Sequence, residues 1–167
     1  TPKDFENKKY GGWGSPIEKA TLKALMDKEN ADVEKVKIIT SGDTDFFAVS
    51  EKSVDFAWGF EAWTGMEAKV KNIPVNYIRL SDYNKNLDYY TPVIITNEKM
   101  IADNKEIVEK FMRATKKGYE YSSKNPLEAA NILMKNAPEL NKELVEKSQE
   151  FLAKEYQSDA SYWGEQK

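Results

Sequence analysis

The stretch KKYGGWGSPIEKA, residues 8–20, carries the local signals that decide the fold. Ser15 is a favoured N-cap residue, Pro16 suits the first position of a helix, and Glu18 completes a Ser-x-x-Glu capping box. A helix is therefore predicted from Pro16 onward, and the glycines around Trp13 predict a tight turn before it with exposed backbone N–H groups. Such a turn either receives an anion or a polar acceptor at the start of the helix or only connects a strand to a helix.

Strand and helix patterns alternate along the first half of the chain. Strands are predicted at residues 9–11, 36–40, 54–58 and 75–79, and helices between them at 16–28, 44–52 and 61–71. A further strand is predicted at residues 90–96, where Pro92 favours an edge position or a strand start. This alternation is typical of parallel βαβ units.

The remainder of the chain is predicted to be helical. Apolar residues recur at helical spacing after residue 105, Pro126 begins one helix, and Pro138 interrupts the pattern before the last one. The predicted fold class is α/β. A ligand-binding lobe with a mostly parallel sheet is predicted at residues 1–104, and a helical tail at residues 105–167.

Composition excludes several kinds of site. The 167 residues carry a net charge of −3 with lysine and glutamate mixed throughout, so no basic patch for nucleic acid is indicated. The chain has no cysteine and no histidine, which excludes disulfides, thiol catalysis and the Ser-His-Asp triad. No EF-hand spacing is present. We therefore predict no catalytic residue, no metal and no cofactor.

Candidate ligand contacts follow from the predicted sheet. Ligands of open α/β sheets bind beyond the carboxyl ends of the strands, where residues 12–15, 41–43 and 59–61 form the loops. The first of these loops provides four candidate ligand-binding residues, Gly12, Trp13, Gly14 and Ser15.

The stretch WGFEAW, residues 58–63, places aromatic rings on both sides of one carboxylate. Trp58 and Phe60 offer faces that stack flat heterocycles, and Glu61 can accept a hydrogen bond from an exocyclic amine. Core packing is the alternative, with Glu61 only beginning a helix, and Trp58 alone is better explained as a core residue. Tyr90 either contacts a ligand or packs at a strand edge.

Three stretches resemble a known family. Residues 1–18 (TPKDFENKKYGGWGSPIE), 53–65 (SVDFAWGFEAWTG) and 89–133 (YYTPVIITNEKMIADNKEIVEKFMRATKKGYEYSSKNPLEAANIL) resemble the solute-binding proteins of bacterial ABC importers. Within that family the resemblance is to the thiamine-pyrimidine group, which is related to the fungal thiamine-pyrimidine synthases. The third stretch is general to the wider family, which includes nitrate and sulfonate binders.

The resemblance implies a fold and a role for the candidate residues. The fold would be a type II periplasmic-binding-protein-like lobe, outside the cytoplasm. It would capture an aminopyrimidine precursor of thiamine, either formylaminopyrimidine or hydroxymethylpyrimidine, for an ABC transporter permease. Glu61 would read the amino-pyrimidine edge, the aromatic residues would stack on the ring, and the 12–15 turn would take the polar substituent. The alternatives are a binder of nitrate, a sulfonate or a riboflavin-like solute, or a synthase, which in that family uses a histidine and a cysteine-rich motif.

The resemblance also implies that the chain is a fragment. The first lobe, a signal peptide and a lipoprotein anchor would then lie upstream, and the helical tail would pack on the missing lobe. Without that lobe we expect apolar surface after residue 125, which would lead to self-association of the fragment. The residues expected to form that surface are Leu127, Leu133, Leu144, Phe151 and Trp163.

Overall fold

The computed structural model describes residues 1–40, 47 and 54–165. The chain packs as two compact units, one formed by Thr1–Phe60 and Pro74–Tyr89 and the other by Glu61–Ile73 and Tyr90–Lys167. The predicted division between a lobe and a tail at residue 104 stays a prediction.

The first unit contains a parallel sheet of three strands in its described part. They are β1 (Lys9–Gly12), β2 (Lys37–Thr40) and β3 (Phe56–Ala57), in the order β2-β1-β3. In the register of the sheet, Tyr10 of the central strand lies opposite Ile38 on one side and Phe56 on the other. The prediction of an α/β fold with parallel strands is confirmed, although the third strand is shorter than predicted.

Helix α1 (Pro16–Met26) begins where the sequence predicts, with Ser15 as N-cap and Glu18 in the capping box. It packs Leu22 and Met26 against Tyr10 of β1 in the core of the first unit. Two segments that flank α1 in the chain complete this core with Ala31, Val33, Val36 and Phe5. A core between a strand and the helix that follows it is what an amphipathic helix after a parallel strand produces.

Two predicted strands do not form. Residues 75–79 and 90–96 pair with no strand among the described residues. Several of their apolar side chains are exposed, and Ile95 is 85% exposed. β-branched and aromatic residues favour a strand only where a neighbouring strand and a packed face receive them, and these two segments have neither in the described part of the chain. The predicted helix at 44–52 lies outside the described residues except for Phe47, which is helical and buried.

The second unit is helical throughout its described elements. A π-helical turn (Glu61–Gly65) leads into α2 (Met66–Val70), followed after residue 90 by α3 (Glu98–Asp103), α4 (Lys105–Lys124), α5 (Pro126–Asn136) and α6 (Lys142–Glu155). The helix start at Pro126 and the interruption before the last helix are confirmed. No helix in the described part of the chain is both long enough and apolar enough to cross a membrane.

The expected apolar surface of the tail is confirmed only in part. Leu127 and Leu133 are exposed as predicted, and Phe151 and Trp163 are half-buried. The prediction for Leu144 is wrong, because Leu144 is buried together with Val145, its neighbour on α6. Both side chains lie in the first turns of α6, a helix that packs against α5.

Candidate functional site

The candidate site in the first unit lies at the carboxyl edge of the sheet. Gly12, Thr40 and Ala57 are the last residues of three parallel strands, so the chain leaves all three at the same edge. The turn after β1 lies close to the end of β2, since a Cβ atom placed on Gly14 would be 3.2 Å from Cγ2 of Thr40. Residues 41–43, the predicted loop after β2, lie outside the described residues.

Two tryptophans meet at this edge. The ring centroids of Trp13 and Trp58 are 5.5 Å apart, with the planes inclined by 47°. Trp58 is half-buried and packs against the core of the unit, whereas Trp13 is 42% exposed. The prediction that the glycine turn shares one sheet edge with the WGFEAW stretch is confirmed for Trp58, the first residue of that stretch. The interpretation of Trp58 as a residue that packs on the core is confirmed as well, and its predicted ligand contact stays a prediction.

A single buried carboxylate organises the turn before α1. Oε1 of Glu18 accepts hydrogen bonds from the Tyr10 hydroxyl at 2.8 Å and from the Trp13 backbone N–H at 3.2 Å. Oε2 accepts from the backbone N–H groups of Gly14 at 2.8 Å and Ser15 at 2.7 Å. With four donors, the charge of this buried group is well compensated.

These bonds change the expected role of the turn. The sequence predicts exposed backbone N–H groups at residues 12–15, and this expectation is wrong for Trp13, Gly14 and Ser15, whose N–H groups bind Glu18. The capping box predicted the bond to Ser15 but not the other two backbone bonds. The ligand-binding roles of Gly12, Trp13, Gly14 and Ser15 stay predictions. The Trp13 side chain is exposed at this edge, and Ser15 is half-buried.

The Tyr10 hydroxyl belongs to the same network. Burial raises the pKa of Tyr10 well above its usual range, and the hydrogen bond to Glu18 and the charge of that carboxylate add to the increase. A hydrogen bond from the Trp58 backbone opposes the increase. Tyr10 therefore stays neutral and remains a donor to Glu18 over the physiological pH range.

The two turn glycines are required for different reasons. Gly14 adopts a φ of +89°, which L side chains rarely adopt. Gly12 is required for space, because a Cβ atom there would lie 2.1 Å from Oε1 of Glu18 and 2.7 Å from Cε1 of Tyr10. At Gly12 the groups that come close to the backbone are thus the Glu18 carboxylate and the Tyr10 ring.

The other candidates are placed at the end of the first unit or in the second. Phe60 closes the first segment of the first unit and is exposed. Glu61 begins the π-helical turn of the second unit and is half-buried. The Tyr90 hydroxyl, also in the second unit, donates to Oδ2 of Asp159 at 3.0 Å. The ligand contacts predicted for Phe60, Glu61 and Tyr90 stay predictions.

Sequence reasoning missed one further residue of the first unit. The Tyr77 hydroxyl donates to the backbone carbonyl of Gly59 at 3.4 Å and so ties the 74–89 segment to the loop after β3. Its only sequence signal was membership of a predicted strand that does not form. Among the described residues, no group of three or more Asp or Glu is placed to hold a metal ion.

The parallel sheet, the core helix and the tryptophan edge define an α/β lobe of the periplasmic-binding-protein type. The chain belongs to the NMT1/THI5-like family, whose model matches residues 1–129. This match includes all eight candidate ligand-binding residues and confirms the resemblance to the thiamine-pyrimidine group.

The chain is also similar to a curated protein whose name states its solute. The chain is 26% identical over 163 residues to the formylaminopyrimidine-binding protein of Halalkalibacterium halodurans. The alignment covers 90% of this chain and 46% of the relative, so the chain spans about half the length of that protein.

Proposed function

We propose that the protein containing this chain is an extracytoplasmic solute-binding protein that captures an aminopyrimidine precursor of thiamine for an ABC importer. Membership of the NMT1/THI5-like family and the similarity to a formylaminopyrimidine-binding protein support a solute-binding role. Lipid anchoring of the complete protein and delivery to a permease are parts of the same proposal.

The proposal of a flat-ring solute depends on one observation, the contact between the Trp13 and Trp58 rings. An exposed indole held beside a half-buried one offers an apolar face for a flat ring at the sheet edge where ligands of α/β proteins bind. An aromatic contact of this kind contributes about 0.5–1.5 kcal/mol beyond the area that it buries. A pyrimidine ring makes such a contact, and so does the ring of a riboflavin-like solute, whereas nitrate and simple sulfonates do not. The similarity to a formylaminopyrimidine-binding protein supports the choice of a pyrimidine between these two rings.

Glu61 would supply the polar part of recognition. Its carboxylate follows Phe60 directly in the chain and begins a π-helical turn, a feature that is frequent at functional sites. A carboxylate accepts a hydrogen bond from an exocyclic amine, and this bond is stronger if the ring is protonated. Tyr90 and Phe60 are further proposed contacts.

Binding is proposed rather than catalysis. The chain has neither histidine nor cysteine, the residue types that the related synthases use. The candidate residues include aromatic rings that stack and polar groups that hydrogen-bond, which suit capture of a ring without a chemical step.

Calorimetry tests this proposal. The intact protein is titrated with formylaminopyrimidine, hydroxymethylpyrimidine, riboflavin, nitrate and taurine. We expect the two pyrimidines to bind and Trp13→Ala to weaken that binding about tenfold, which corresponds to about 1.4 kcal/mol. Trp163→Phe, a tryptophan change in the second unit, is the matched control. If neither pyrimidine binds but nitrate, taurine or riboflavin does, the proposed solute is wrong.

A further inference from the structure

Glu18 occupies the position where a helix N-terminus ordinarily receives an anion. The first backbone N–H groups of a helix and those just before it lack intrahelical partners, and the helix dipole favours negative charge beside them. At α1 the N–H groups of Trp13, Gly14 and Ser15 all bind the Glu18 carboxylate. The anion at this terminus is thus part of the chain itself.

We propose that Glu18 is a positioning residue that also determines specificity at the solute-binding edge. Its carboxylate takes the place of a solute anion at the start of α1, and it holds the turn in the conformation that keeps Trp13 beside Trp58. The part of this proposal that concerns pyrimidine affinity rests on the proposed function, whereas the exclusion of anions from the turn does not.

Exclusion of anions follows from the number and kind of bonds. An incoming anion would have to displace a carboxylate that is 2% exposed and accepts four hydrogen bonds. The carboxylate is tethered to the same chain, so its effective concentration at the turn exceeds that of a dissolved solute. A second negative charge beside it is repelled as well. The turn is therefore closed to nitrate, sulfonate and phosphate groups.

Positioning of Trp13 follows from the backbone bonds. The N–H groups of Trp13 and of the two residues after it are fixed by one side chain, and Gly14 is held at a φ of +89°. A turn fixed before binding spares the solute the cost of ordering it, which is how preorganisation raises affinity. Glu18 itself is buried beneath the turn and acts through Trp13.

The first experiment measures anion rescue. Glu18→Ala leaves the three backbone donors and the Tyr10 hydroxyl without their acceptor, and formate is small enough to replace it. We expect the melting temperature of this variant to be lowered and then raised several degrees by sodium formate, compared with sodium chloride at equal ionic strength. The wild type should show no such difference between the two salts.

Glu6→Ala is the matched control. Glu6 accepts from the Asp32 backbone N–H at 2.8 Å and pairs with Lys35 at 3.1 Å, so its removal also deletes a carboxylate that binds a backbone donor. We expect no formate-specific stabilisation of this variant. A wild type or a Glu6→Ala variant that responds to formate as strongly as Glu18→Ala would overturn the exclusion of anions.

A second variant covers the case in which Glu18→Ala does not fold. Glu18→Gln retains the volume but loses the charge and one acceptor oxygen. We expect it to bind formylaminopyrimidine at least fivefold more weakly than the wild type. We also expect the tryptophan fluorescence difference between the protein and its Trp13→Phe variant to be altered by Glu18→Gln before any ligand is added. Wild-type affinity together with unchanged fluorescence would overturn the positioning role.

The two proposals fail in different ways. If the wild type binds no pyrimidine while formate rescues Glu18→Ala, the proposed function is wrong and the exclusion of anions is supported. If the wild type binds formylaminopyrimidine and Glu18→Gln binds it equally well, the proposed function is supported and the positioning role is wrong.

Discussion

The Tyr10 hydroxyl donates a hydrogen bond of 2.8 Å to Oε1 of Glu18, and these side chains are only 1% and 2% exposed. The bond joins the central strand of the sheet to the first turn of α1. It needs a neutral tyrosine, because a phenolate would place a second negative charge against the buried carboxylate. Burial and Glu18 together raise the pKa of Tyr10 above its usual value of 10.0.

This pKa predicts a loss of stability at alkaline pH. Above about pH 10 the unfolded chain loses the Tyr10 proton while the folded protein keeps it, so the free energy of unfolding falls as the pH rises. The contribution is fully present below pH 10 and is lost by at most about 1.4 kcal/mol per pH unit above it. Urea unfolding between pH 8 and pH 11 measures this slope.

Tyr10→Phe isolates the contribution of one tyrosine. At pH 8 the free energy of unfolding of the variant should be about 1–3 kcal/mol lower than that of the wild type, because Glu18 loses a donor. The difference should shrink as the pH rises past 10, because phenylalanine has no proton to lose. A difference that stays constant up to pH 11 would contradict the assigned role of Tyr10.

Gly12→Ala should destabilise the first unit. The added Cβ atom would lie 2.1 Å from Oε1 of Glu18 and 2.7 Å from Cε1 of the buried Tyr10 ring. Two donors hold each oxygen of this carboxylate in place, so it cannot move away easily. Overpacking of this kind costs about 1–3 kcal/mol. Thermal unfolding followed by circular dichroism measures the change.

Gly118→Ala is the opposite case and serves as the control. Gly118 lies within α4, and a Cβ atom added there would meet nothing within 4 Å, so alanine should stabilise the helix by about 1 kcal/mol. If Gly12→Ala leaves the melting temperature unchanged or raises it, as expected for Gly118→Ala, the steric account of Gly12 is wrong.

Gly14→Ala combines two effects that a double mutant separates. A φ of +89° disfavours any L side chain by about 1–2 kcal/mol, and the new Cβ atom would also contact Thr40 at 3.2 Å. Thr40→Ala should therefore recover part of the loss in a Gly14→Ala background. Gly164→Ala, with a φ of +90° and no neighbour within 4 Å, reports the backbone effect alone. Strict additivity of the Gly14 and Thr40 changes would show that their contact has no energetic weight.

Glu61→Gln should weaken pyrimidine binding without loss of fold. Leaving a buried ligand donor without its acceptor costs on the order of 1–3 kcal/mol, so the affinity for formylaminopyrimidine should fall about tenfold or more. Glu67→Gln, which removes a partner of Lys71 on the following helix, is the charge-matched control. Unchanged affinity of Glu61→Gln by calorimetry would contradict the assignment.

The sequence was sufficient for the local and periodic features of the fold. The start of α1 and the parallel strands flanking it follow from Ser15, Pro16 and the apolar pattern, because capping and amphipathicity act within a few residues. The segments at 75–79 and 90–96 were mispredicted, since their apolar residues form a strand only beside a partner that the local pattern does not specify.

The candidate site was predictable to a similar extent. The position of the 12–15 turn and of Trp58 at one sheet edge followed from the rule that parallel strands end at one edge. The contact between the Trp13 and Trp58 rings was not predicted. The role of Glu18 was predictable only as far as its bond to Ser15. The other donors come from β1 and the turn, and their distances depend on how α1 packs on the sheet.

The last prediction concerns association of these 167 residues through the helices of the second unit. Ile107 and Phe111 lie one turn apart on α4 and are 57% and 56% exposed, and Leu127 and Leu133 on α5 are exposed too. Exposed apolar surface of this kind favours contact between copies. We expect sedimentation velocity to detect dimers that increase with protein concentration. Phe111→Gln should reduce the dimer fraction, whereas Lys117→Gln, a change at an exposed polar position of the same helix, should not. A monomer at all concentrations, or an equal response of the two variants, would mean that the α4 surface does not mediate association.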